Sequence, residues 1–166
     1  MREGIGFNKT PAEYGAFPTD PYSHTPKHAG ARQPGMTGQV KEEILCRFGE
    51  LGVRVSDGTV HFQPDLLRAR EFMAEPRETG YIDVDGNWQT IAVPTAGLAF
   101  TWCQVPIVYK LDDDAEPGLT IIRDDGKEMH LAQLALPAEE STELFRRSGR
   151  IRRITVTFKT NRLFVE

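Results

Sequence analysis

Apolar and polar positions change their spacing twice along this chain, and the changes divide it into three parts. Residues 1–36 hold neither a helical nor a strand period, and Pro11, Pro18, Pro21, Pro26 and Pro34 interrupt them repeatedly. Proline fixes φ and removes a backbone donor, so this segment is predicted to be an extended or looped arm. From Thr37, Val40, Ile44, Phe48 and Leu51 recur at helical spacing, while Lys41, Glu42, Glu43, Arg47 and Glu50 fall mostly on the other face. That pattern predicts one amphipathic helix over 37–52. Thr37 suits its N-cap, Glu42 and Glu43 sit where the helix dipole favours anions, and Gly52 suits a left-handed residue ending it.

Beyond Gly52 the period falls to two. Val53 and Val55 turn at Asp57-Gly58 into Val60 and Phe62. Tyr81, Ile82 and Val84 turn at Asp85-Gly86 into Trp88, Thr90, Ile91 and Val93, and Leu119, Ile121 and Ile122 turn at Asp125-Gly126 into Met129, Leu131 and Leu134. Asp-Gly between alternating runs is a strong hairpin signal. The apolar run from Leu98 to Tyr109 predicts one central strand buried on both faces, with Pro106 marking a bulge or an edge. Ser141 or Thr142 is expected to cap a short helix carrying Leu144 and Phe145 and stopped by Gly149. Ile151, Ile154, Val156 and Phe158 alternate in a last strand, which Leu163 and Phe164 are expected to continue. About eight strands with few helices predict a mainly β fold. Residues 53–166 are expected to form an antiparallel two-sheet sandwich or jelly roll, preceded by one amphipathic helix and the extended arm.

Composition narrows the function classes. With 166 residues, 39% apolar and 27% charged, the chain can bury one core. A net charge of -4 offers no basic footprint for nucleic acid, and the arginines at 146, 147, 150, 152 and 153 read as a solvated face. No stretch is long and apolar enough for a membrane span, and Arg2-Glu3-Gly4 does not resemble a signal peptide, so a cytoplasmic location is expected. Cys46 and Cys103 lie too far apart in sequence for a metal or redox motif and read as small buried hydrophobes. The arm nevertheless carries Phe7, Tyr14, Phe17, Tyr22, His24 and His28, and chains that stay solvated are poor in aromatics. It is therefore expected to pack against something.

No complete catalytic motif is present. The serines at 23, 56, 141 and 148 lack the glycine frame of a nucleophile elbow, and no phosphate-binding glycine loop occurs. Adjacent Glu42 and Glu43 would project about 100 degrees apart on a helix, unlike the facing carboxylates of glycoside hydrolysis. His24 and His28 stand four apart, but Pro21 and Pro26 oppose the helix that would bring them together on a metal. His61 and His130 are isolated on strands, and Asp112-Asp113-Asp114 departs from a calcium loop and reads as a solvated turn. No metal site, cofactor or catalytic residue is assigned. Trp88, Trp102, Tyr81 and Tyr109 are candidates for an aromatic platform on which the CH faces of sugar rings can stack, against the simpler reading as core.

The stretch Tyr14-Gly15-Ala16-Phe17-Pro18-Thr19-Asp20-Pro21-Tyr22-Ser23-His24-Thr25-Pro26, then Gln33-Pro34-Gly35-Met36-Thr37-Gly38-Gln39-Val40-Lys41-Glu42-Glu43, leads into a helix and a β domain. In wording and order of parts it resembles the end of the six-hairpin alpha/alpha barrel and trailing β-sandwich of bacterial glycoside phosphorylases and glucan-processing glycosidases. The resemblance implies that residues 53–166 are the accessory sandwich and 1–52 the last barrel segment. It also implies that the barrel with its acid and base lies outside this sequence, and that Tyr22, His24, Gln33, Gln39, Lys41 and Glu42 border a sugar site. The leading expectation is a non-catalytic carbohydrate-related β module. Its expected ligand is an oligosaccharide at Trp88, Trp102, Tyr22, His24, Gln39 and Glu42. Two alternatives stay open: a cupin-like enzyme with a metal on His24, His28, His61 or His130, and an assembly module whose arm docks on a partner chain or a second copy.

Overall fold

Hydrogen-bond demand explains most of the ordered chain, because each run that alternates apolar and polar residues, except the last over Ile151–Phe158, finds a pairing partner across a short turn. The computed structural model describes residues 37–164, with side chains from residue 43. The chain falls into two units, Met1–Arg47 and Phe48–Glu166. The arm over 1–36 lies outside the described residues, and with it the expected packing of its aromatics.

Helix α1 runs Thr37–Leu51, as its period predicts. Among the described side chains of its expected apolar stripe, Leu51 is in the core, whereas Ile44 is 49% exposed and Phe48 38%. Gly52 ends the helix at φ +68, and a Cβ there would lie 1.8 Å from the Gln63 carbonyl oxygen, so the turn is closed to side chains.

Nine strands follow: β1 (Val53–Ser56), β2 (Thr59–Phe62), β3 (Arg77–Ile82), β4 (Trp88–Val93), β5 (Gly97–Trp102), β6 (Val105–Leu111), β7 (Gly118–Arg123), β8 (Glu128–Leu131) and β9 (Ile151–Phe158). They form two two-stranded sheets, β1-β2 and β3-β4, and one five-stranded sheet in the order β5-β6-β9-β7-β8. The fold is mainly β and sandwich-like. All ladders are antiparallel except β6 with β9, which run parallel, and β9 takes the central place in the sheet. A parallel pair needs a long crossover, and β7, β8 and helix α2 (Ala138–Arg146) supply it.

The three Asp-Gly turns occur where predicted, with Gly58, Gly86 and Gly126 at positive φ. Four other expectations need correction. Residues 98–109 are not one strand but the hairpin β5-β6, turning at Cys103 (φ 51) and Gln104 (φ 65), a left-handed pair without the usual glycine. Pro106 sits opposite Thr101, one residue before the β6-β9 ladder begins at Ile107, where its missing N–H breaks no bond to β9. Helix α2 starts after Pro137, so Ser141 and Thr142 lie inside it, and its left-handed cap is Arg147 rather than Gly149. Leu163 and Phe164 follow a single turn at Thr160–Arg162 instead of extending β9, although Leu163 is still buried. Nor are the cysteines two buried hydrophobes: Cys46 is exposed, and Cys103 is half-buried at the turn.

The core fills one face of the five-stranded sheet. Ile107 and Tyr109 from β6, Leu119 and Ile121 from β7, and Ile154, Val156 and Phe158 from β9 meet Val60, Phe62, Leu67, Leu136 and Leu144. Tyr109 stands at its centre, edge-on to Phe62, Phe100 and Phe158, and donates its hydroxyl hydrogen to the Leu51 carbonyl at 2.6 Å. Burial pushes its phenol well above the usual range, so it remains neutral. The Ser141 hydroxyl accepts the buried Val60 N–H at 3.1 Å and ties α2 to β2.

Candidate functional site

Hairpin β3-β4 separates its side chains by strand parity. Ile91 and Val93 are buried on one face, while Trp88, Thr90, Gly80 and Ile82 share the other. Trp88 stands opposite Ile82 and diagonal to Gly80, within reach of an indole. The ring lies over the glycine: a Cβ at Gly80 would come within 2.1 Å of Trp88 Cζ2. Trp88 is nonetheless 71% exposed, so the ring is braced on backbone beneath and open to solvent above. Ile82, also half exposed, extends the apolar patch, and Thr90 adds a hydroxyl on the same face.

The turn holding this platform is organised by Asp83. Its Oδ1 accepts the N–H groups of Asp85 at 3.0 Å and Asn87 at 2.9 Å, and its Oδ2 accepts from Gln89 Nε2 at 3.0 Å. The Asn87 bond above all, then those from Gln89 and Asp85, lowers the carboxyl below its ordinary range against an opposing effect of burial. Gln104 Nε2 donates to the Asp83 carbonyl at 2.9 Å, and Arg147 Nη1 donates to Gln104 Oε1 at 3.2 Å. The hairpin is thereby tied to the β5-β6 turn.

The other sequence candidates are scattered. Trp102 is half-buried, its ring edge-on to Phe48 with centroids 5.4 Å apart and its indole N–H buried without a hydrogen-bond partner. Tyr109 is core and no platform. Tyr81 lies on the inner face of β3, where burial foremost, and then the Asp83 charge, raise its phenol. Tyr22, His24 and His28 lie outside the described residues, as do the side chains of Gln39 and Glu42 on α1. His61 lies on β2, and His130 lies on β8 with Nδ1 3.0 Å from the Thr120 hydroxyl. Among the described residues no three His, Cys, Asp or Glu side chains gather as a metal site would require. Asp112 and Asp113 staple loops: Asp112 accepts from Lys110 Nζ and the N–H groups of Asp114 and Ala115, and Asp113 accepts from Thr160. No described helix is long and apolar enough to cross a membrane.

Gly80, Ile82 and Thr90 were not singled out from sequence as site residues. The signal was present, because the Asp85-Gly86 turn fixes the register and so sets Trp88 diagonal to a glycine. No protein-family model matches the chain, and a search of curated proteins finds no match.

Proposed function

We propose that this chain is a non-catalytic carbohydrate-binding β module, a fragment or separately encoded relative of a larger carbohydrate-active enzyme, with Trp88 as its sugar-stacking residue. The observation that carries the reading is the open indole of Trp88 braced on Gly80. A ring held this way loses little conformational freedom when a saccharide covers it. Covering one indole face removes about 100 Å² from water, which stabilises the complex by about 2.5 kcal/mol. Stacking adds about 1 kcal/mol. Lost translational freedom opposes both, so a single platform gives affinity weaker than roughly millimolar, and tighter binding needs contacts from Ile82 and Thr90 beside it. The resemblance to trailing sandwiches of glucan-processing enzymes supports the same class of ligand, and the chemistry then belongs to the enzyme the module serves.

The test is calorimetric and fluorimetric titration of the purified chain with soluble glucans and oligosaccharides. Saturable binding lost in Trp88→Ala and kept in Trp102→Phe is expected. Absence of binding across the panel, or undiminished affinity in Trp88→Ala, would refute the reading.

A further inference from the structure

Two strand edges face a common groove that no element of the described residues fills. The groove encloses about 400 Å³ and is bordered by consecutive residues of β3, Thr79 to Ile82, and of β5, Ala99 to Thr101. Runs of adjacent residues show that it is bounded by the strand edges as well as by side chains. Among the described residues no strand pairs with either edge: β3 bonds only to β4, and β5 lies at the rim of its sheet beside β6, where Met73 meets it only at Gly97.

The ladder pattern identifies the free groups. Asp83 N–H bonds to the Asn87 carbonyl, which makes 83 and 87 a bonded pair. Antiparallel pairs alternate, so the N–H and C=O groups of Ile82 and Gly80 point away from β4. On the other side Leu111 N–H bonds to the Ala96 carbonyl, and counting along the register turns the backbone groups of Gly97, Ala99 and Thr101 away from β6. Two observations agree with this count. The outward carbonyl of Gly97 accepts from Met73 N–H at 2.8 Å, and Thr101 stands opposite Pro106, which has no N–H to give. Gly80, Ile82, Ala99 and Thr101 all border the groove.

We infer that this groove receives an extended peptide strand of a partner protein, which would pair with the β3 edge, the β5 edge or both. The four residues present donors and acceptors at every second position, about 7 Å apart along each edge, which is the repeat of a peptide strand. The rest of the lining is uncharged. Tyr81, Ile91, Phe100 and Pro106 offer apolar contact, and Thr79 and Gln104 are its polar members, so the guest carries uncharged side chains with apolar ones at alternate positions. Exposed edges invite such pairing unless charge, proline or a covering element blocks them, and none of these lies within Thr79–Ile82 or Ala99–Thr101. Gly80 and Ile82 border both this groove and the Trp88 platform, whereas Ala99 and Thr101 border the groove alone, and the inference rests on strand-edge backbone groups rather than on the indole.

The experiment is an NMR titration with a capped hexapeptide of alternating valine and threonine, with hydrogen exchange followed at each amide. Saturable binding and at least about tenfold slower exchange at Gly80, Ile82, Ala99 or Thr101 are expected. The same peptide N-methylated at alternate residues should not bind. Ala99→Pro should weaken binding about fivefold or more, because it removes an edge N–H without touching the β5-β6 ladder. If that variant does not fold, the N-methylated peptide decides alone. No binding at about 1 mM, or binding without protection of these amides, overturns the inference. Two further results also overturn it: protection of Ala99 and Thr101 by a glucan hexamer in place of the peptide, which would make the groove a sugar cleft, and protection that rises with protein concentration alone, which would make the guest a second copy.

Discussion

Single residues here act mainly by satisfying backbone groups that a turn leaves open, and Asp83 shows how that becomes pH dependence. Its carboxylate accepts three hydrogen bonds that only the ionised form can accept together, so its folded pKa lies below the unfolded value of about 3.9. The sign follows from linkage. The stabilisation is complete above the unfolded value and is lost as pH falls toward the folded one. Between about pH 5 and pH 2 the melting temperature of the wild-type chain should therefore fall further than that of Asp83→Asn, whose amide does not titrate. Parallel acid limbs in thermal denaturation would show that the β3-β4 turn does not depend on this charge. Because the same turn fixes the register that sets Trp88 over Gly80, acid should weaken sugar binding before it unfolds the core.

At the scale of elements, helix α2 is attached to the sheet by a polar pair as well as by Leu144. Glu140 is only 2% exposed and pairs through Oε1 with Arg123 of β7, while its Oε2 is buried without a hydrogen-bond partner. Removing the cation alone leaves a buried carboxylate, and Arg123→Met should cost about 3 kcal/mol in urea denaturation. Arg123→Met with Glu140→Leu should recover most of that loss, since an apolar pair of similar volume demands no compensation. A double variant as unstable as the single would mean that the cost arises from packing. How far elements were legible follows the same physics. Hairpins with Asp-Gly turns were read correctly because glycine alone takes positive φ at little cost, whereas Cys103 and Gln104 take it without that mark, so one hairpin read as one strand. The beginning of α2 was misplaced because the hydroxyls of Ser141 and Thr142 look like caps. In the fold one accepts Val60 N–H and the other donates to the Ala138 carbonyl.

At the scale of the molecule, the alternating strands gave a mainly β reading because burial on one face imposes a period of two, but no local pattern encodes which strands become neighbours. The placement of β9 between β6 and β7 rests on contacts across the whole domain, and Tyr109, a candidate platform by composition, lies at their centre. The candidate site was legible in its residue and not in its support: Trp88 could be named, but its exposure and its rest on Gly80 required the register. Core and platform occupy different surfaces, so they should fail separately. Tyr109→Phe removes the hydroxyl that satisfies the buried Leu51 carbonyl and should cost about 1–2 kcal/mol in urea denaturation with sugar affinity unchanged. Trp88→Ala should leave stability within about 1 kcal/mol, because most of the ring already meets water, while abolishing the saccharide signal. If Tyr109→Phe changed sugar affinity as strongly as Trp88→Ala does, the platform would be an extension of the core, and the indole over Gly80 would owe its place to packing rather than to a ligand.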